Sequence, residues 1–175
     1  MHNTFDTVDE KVAETEFFLR KMAEIKLDIF EFQCYLSAYL SAARTTTLAL
    51  QRFKDIPGFD QWYEPHRKHL QVNKLAKFFH SLRNDHAHGG PYPISGGSLR
   101  QGETHYYFSQ SNETDQIQPE DVVSACRKYF ILLLEVVYDC YVKLGIYIDP
   151  QQHFTKEYFN TQGRNIDDAE VEIYG

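Results

Sequence analysis

No run of apolar residues in this 175-residue chain approaches the roughly 20 needed to cross a bilayer. The opening MHNTFDTVDE is acidic and polar where a secretory signal would be basic and then apolar. Together these exclude a membrane-spanning helix and predict a cytoplasmic protein with no membrane partner. Cysteine is scarce: Cys34, Cys126 and Cys140 are odd in number, far apart and set among apolar residues. That pattern predicts reduced thiols in the core and argues against disulfides or a zinc knuckle. A surplus of positive charge is also missing. With 18 Lys and Arg against 25 Asp and Glu, the net charge of −7 excludes a protein that coats nucleic acid by charge alone. There is no internal repeat, low-complexity tract, nucleophile elbow or paired-cysteine motif, and SGGS lacks the lysine and strand-to-helix context of a phosphate loop.

Large rings are abundant. Aromatics make up 15% of the chain, with 13 Phe and 12 Tyr, so the core must be built substantially from them. The length fits one domain, residues 1–175. Charge is distributed unevenly. Residues 1–31 hold eight acids against four bases, whereas residues 64–88 hold Glu64 and Asp85 against Arg67, Lys68, Lys74, Lys77 and Arg83. The same window contains His66, His69, His80, His86 and His88, a composition suited to binding an anion on an otherwise acidic protein.

Helical periodicity runs through most of the chain. Thr7 and Glu10 have the spacing of a capping box, followed by Val8, Val12, Thr15, Leu19 and Met22 at steps of three and four. A second stripe joins Ile29, Phe32, Leu36, Tyr39, Leu40, Ala43 and Leu50, with Ser37, Ala38, Ser41 and Ala42 beside it permitting close helix approach. Pro57 and Gly58 break the pattern before QWYEPHRKHL, a short helix or turn, and VNKLAKFFHSLRNDHAH, a further helix. Residues 89–118 turn to Gly, Pro, Ser and Tyr, predicting a small β-hairpin or ordered loop with ISGGS as its turn and THYYFSQ as its most strand-like arm. Pro119, with Glu120 and Asp121 in the opening turn, starts a long helix carrying Val122, Cys126, Phe130, Leu133, Val137, Tyr141 and Leu144. Gly145 is its expected stop. The sum is an all-α, up-and-down bundle of four to five helices, spanning about residues 8–145, with the hairpin or loop before the last long helix. Residues 146–175 are expected to form short helices or a tail.

The stretch FFHSLRNDHAHGG, residues 78–90, concentrates chemistry at a helix end. On a helical wheel Leu75, Phe78, Phe79 and Leu82 form one face, with His86 continuing it as a core or boundary histidine. Asn84 and His88, four apart, lie nearly opposite, and Arg83 flanks the stripe with a side chain long enough to reach around. Arginine offers a planar, permanently charged fork for phosphate. Histidine moves a proton near neutrality, and asparagine orients a phosphate or hydroxyl without titrating. The trio suits attack by a ribose hydroxyl on its own phosphodiester without a metal. Lys74, Lys77, His80 and Tyr92 are candidate RNA-binding residues around it.

Arg83-Asn84-Asp85-His86-Ala87-His88 resembles the R-N-x-x-x-H signature of HEPN-domain proteins, helical bundles that usually dimerise and bring two motifs into one cleft. Many members are metal-independent endoribonucleases of toxin–antitoxin, antiviral or RNA-processing systems. The resemblance implies that Arg83 holds the scissile phosphate, Asn84 positions it and His88 is the general base or acid, with 2′,3′-cyclic phosphate and 5′-hydroxyl products. It further implies RNA as substrate, a homodimer, an antitoxin or regulatory partner, and no metal or cofactor. The tyrosine that follows the histidine by two residues in members governed by a nucleotidyltransferase is replaced here by Gly90. The alternative is a non-catalytic HEPN-like binding or dimerisation scaffold, in which Arg83 is buried or salt-bridged, for instance to Asp85 or Glu64. A metal site of His80, Asp85, His86 and His88 is disfavoured because His86 and His88, two apart on a continuous helix, diverge by well over 90° and cannot ligate one ion unless the helix ends between them. Arg100 and His105 repeat the Arg–His spacing, but in what reads as a Gly-containing loop without an Asn, and are set aside. Arg44 reads as a helix-surface arginine. Tyr92 or Tyr106 could be carried toward the site by the loop after His88.

Overall fold

The computed structural model describes residues 4–87, 93–109 and 120–149, with only the backbone of His86 and Ala87. His88, Tyr92, Pro119 and residues 150–175 lie outside the described residues. Among the described residues there are five α-helices: α1 (Asp6–Glu24), α2 (Ile29–Leu50, extended by a 3-10 turn Gln51–Phe53), α3 (Phe59–Val72), α4 (Lys74–Ala87) and α5 (Val122–Ile148). Strands β1 (Ile94–Arg100) and β2 (Glu103–Phe108) form an antiparallel hairpin between α4 and α5. The protein is thus the expected all-α, up-and-down bundle with a small hairpin before its last long helix. No helix among the described residues is long and apolar enough to cross a membrane.

The boundaries follow local chemistry. Asp28 caps α2 by accepting from the Glu31 amide at 2.9 Å, and Asp121 caps α5 by accepting from the Ser124 amide at 3.1 Å. Asp121 therefore precedes α5 and is not part of its first turn. The expected capping box at Thr7 does not form, because α1 already begins at Asp6, leaving Thr7 inside the helix. Gly145 does not stop α5 either: it is buried within the helix, which runs on to Ile148, since packing there outweighs the weak helix preference of one glycine. A single residue, Asn73, separates α3 from α4. Its backbone amide donates to His69 O at 3.0 Å to end one helix, and its Oδ1 accepts from the Ala76 amide at 3.0 Å to start the next.

ISGGS is not the hairpin turn but most of β1, and the chain reverses at Gln101 and Gly102, whose φ angles are +52° and +88°. Two successive positive φ values match the right-handed twist of paired strands, and glycine supplies the second without strain. Gly97 has a different task. A Cβ there would stand 3.1 Å from the Tyr106 ring and press it back by a few tenths of an ångström, so glycine lets that ring lie close against β1. Tyr106 is buried, stacks on Phe32 of α2 with ring centroids 4.1 Å apart, and donates to Lys26 O at 3.3 Å. The hairpin is thereby pinned to the bundle, and Tyr106 is unavailable to a surface site.

Two adjoining apolar clusters fill the interior, with Val12 of α1 packed against both. One joins α1, α2, α4, the hairpin and the first half of α5; the other joins the far ends of α1, α2 and α5 to α3. Twelve residues of α5 are buried, making it the central helix. Burying each large side chain contributes about 1.5–3 kcal/mol. Inside the bundle Tyr39, fully buried, is partnered: it donates to Cys126 O at 2.7 Å. Burial, reinforced by Cys126 and Tyr129 nearby, raises its pKa well above the ordinary tyrosine value. Thr15 of α1 and Thr46 of α2 meet without solvent, their hydroxyl oxygens 3.4 Å apart. The second stripe is buried as expected except at its start, where Ile29 is exposed.

Candidate functional site

α4 presents opposite faces of opposite character. Ala76, Phe78, Phe79 and Leu82 are buried, and the Phe79 ring stacks on Tyr129 of α5 at 4.5 Å and 4°. Burial lifts the Tyr129 hydroxyl to a pKa of about 12, with the Arg44 charge pulling it back only in part. Arg44 itself is half-buried and donates to the Thr47 hydroxyl at 3.4 Å, one turn along its own helix. These contacts fix the rotation of α4. Its other face carries Lys74, Lys77 and His80, all exposed, and half-buried Asn84, at the successive steps of three and four that make one stripe.

The end of the stripe is linked by hydrogen bonds. Arg83 Nη1 donates to Asn84 Oδ1 at 3.2 Å, and Asn84 Nδ2 lies 3.3 Å from His80 Nδ1. One amide thus holds the guanidinium with its oxygen and the imidazole with its nitrogen. Arg83 reaches back toward the solvent-facing stripe from the flank of the apolar face, as its length allows. Glu64, one of its two expected carboxylate partners in a scaffold, is engaged elsewhere, with Arg67 Nε at 2.8 Å and Lys68 Nζ at 3.6 Å. The Arg67 hydrogen bond, helped by both charges, holds the Glu64 carboxyl below its ordinary pKa. Arg83 makes no ion pair among the described residues.

Comparison of the chain with protein-family models, curated proteins and solved structures finds no match.

Of the residues singled out by sequence, Arg83, Asn84, His80, Lys77 and Lys74 therefore share one helix and, through Arg83's reach, one surface. His88 and Tyr92 lie outside the described residues. Among the described residues no three His, Cys, Asp or Glu side chains converge where a metal ion could sit.

Two polar clusters escaped the sequence reasoning. In the first, Asp139 of α5 accepts from Trp62 Nε1 at 2.7 Å and lies 2.8 Å from His66 Nε2, while the Trp62 and His66 rings pack at 5.0 Å. The signal was an acid inside the apolar run FILLLEVVYDCYV. In the second, Arg100 and His105 are not in a loop: Arg100 ends β1, His105 is on β2, and both line a pocket against the start of α5.

Proposed function

We propose that the solvent face at the end of α4 is the catalytic surface of a HEPN-like, metal-independent endoribonuclease. The observation that carries this reading is Arg83: its guanidinium is held by the neutral Asn84 amide and has no carboxylate partner among the described residues, so its charge is left for a phosphate. The Lys74, Lys77 and His80 side chains on the same helix extend the basic surface along which an RNA backbone would run.

In this mechanism Arg83 grips two non-bridging oxygens of the scissile phosphate and Asn84 fixes its orientation. His88, four residues beyond Asn84 in sequence, takes the proton of the adjacent ribose 2′-hydroxyl. The 2′-oxygen bonds to phosphorus as the bond to the 5′-oxygen breaks. The leaving oxygen takes up a proton, giving a 2′,3′-cyclic phosphate and a 5′-hydroxyl. A homodimer that doubles the basic surface, and an antitoxin or other regulatory protein that covers it, belong to the same proposal.

Incubation of the purified protein with mixed RNA in EDTA, followed by analysis of the product ends, tests it. Cleavage to cyclic phosphates is expected, reduced about 100-fold or more in Arg83→Ala and His88→Ala variants with unchanged circular dichroism. Equal cleavage by all forms would place the activity elsewhere. RNA or partner binding without cleavage by any form would instead support the non-catalytic HEPN-like scaffold.

A further inference from the structure

The outer face of the hairpin and the start of α5 enclose an open pocket of about 410 Å³, lined by Arg100, His105, Tyr107, Glu120, Asp121 and Ser124. Opposed residues of an antiparallel ladder share a face. The pairs Arg100 with Glu103, Ser98 with His105 and Gly96 with Tyr107 therefore put Arg100, Glu103, Ser98, His105 and Tyr107 on one side, with Glu103 at the rim outside the pocket lining, while Tyr106 enters the core on the other. A bridge between Tyr107 and Asp121 brings the cap of α5 alongside.

The groups here are unequally satisfied. Asp121 accepts from the Ser124 amide at 3.1 Å and hydroxyl at 2.6 Å, which occupies about half of a carboxylate's acceptor sites. Glu120 accepts from Lys128 through Oε2 alone, at 2.6 Å. His105 Nδ1 stands 4.0 Å from Asp121 Oδ2, beyond hydrogen-bond reach. Arg100 is exposed and makes no ion pair among the described residues. Ser98 Oγ, on the same face, is buried without a hydrogen-bond partner among the described residues.

Two carboxylates disfavour a bare anion here, and a guanidinium disfavours a bare cation. The set suits a ligand with an acidic group at one end, hydroxyl donors at the other and a flat surface between. We propose that this pocket binds a free ribonucleoside monophosphate. Arg100 and His105 take the phosphate, the Tyr107 ring stacks with the base, and Glu120 and Asp121 accept from the ribose diol. The pocket lies within the usual size range of small-ligand sites, about 300–1,000 Å³. It uses no residue of α4 and stands independently of the ribonuclease proposal.

Calorimetric titration of the full chain with AMP, dAMP, ribose 5-phosphate and inorganic phosphate tests the assignment. AMP is expected to bind, with dAMP weaker by several-fold. Arg100→Gln, at an exposed position that substitution leaves folded, should weaken AMP about tenfold. Tyr107→Leu should weaken AMP but not ribose 5-phosphate. No heat with any of these ligands, AMP affinity unaltered in Arg100→Gln, or AMP binding no tighter than inorganic phosphate would each overturn it.

Discussion

Of the three thiols, Cys126 and Cys140 are sealed in the core and Cys34 is exposed on α2. Burial, aided by Asp139, pushes the Cys140 thiol up to about 12, and burial moves Cys126 upward as well. The thiolate is the reactive form. A disulfide reagent at pH 8 should therefore modify one thiol quickly in the native protein and all three in denaturant, with Cys34→Ser abolishing the fast phase. Three fast thiols in the native protein would contradict this packing. The expectation that all three are core residues followed their apolar neighbours and ignored direction: Cys34 is two residues from Phe32, roughly 200° around the helix from the buried stripe. The apolar face of α4 was legible because periodicity specifies direction as well as type. Asn84's double role was not, because which way a polar side chain turns depends on partners that a sequence does not order in space.

At the level of elements, the hairpin shows where pattern and packing part company. Two adjacent glycines in ISGGS look like a turn, yet one of them exists to admit the Tyr106 ring, and the reversal falls seven residues after β1 begins. Substituting Gly97→Val would push a branched side chain into that ring and strain the hairpin by about 1–3 kcal/mol. Native-state hydrogen exchange should show amides of Ile94–Phe108 losing protection while those of α5 keep theirs. Uniform loss across both would mean that the hairpin and bundle open as one unit. The same hidden register concealed the pocket face. Arg100 and His105 were visible as a spacing, but only the pairing of β1 with β2 puts them side by side with the cap of α5.

Over the whole molecule, the heavy use of buried tyrosine and cysteine makes alkali the hazardous direction of pH. Cys140 rises from 9.0 to about 12 and Tyr129 from 10.0 to about 12, both chiefly through burial. Tyr39 and Cys126 shift the same way through burial, as does Tyr141, whose hydroxyl also donates to the Asp9 carboxylate. A group whose folded pKa lies above its unfolded value holds its proton more tightly when folded. The stability it contributes is complete below the unfolded pKa and is lost as pH climbs through the folded one. Urea melts should thus show little loss from these groups between pH 7 and 9. A decline should follow toward pH 12, steepening by about 1.4 kcal/mol per pH unit for each group engaged. A flat profile to pH 11 would refute the burial of these side chains. The bundle itself was readable from the sequence at this scale, because core periodicity repeats over many residues and errors at single positions average out.

The joint at Asn73 gives the α4 surface a mechanical ancestry. With one residue between the helices, and that residue hydrogen-bonded into both, the direction of α4 is set at the end of α3, like the second arm of a bell crank. The α3 arm is bolted to α5 where Trp62 and His66 meet Asp139, and the α4 arm carries Arg83 and Asn84. The placement of Arg83 and Asn84 thus traces back, through that corner, to where α3 is anchored on α5 at Asp139.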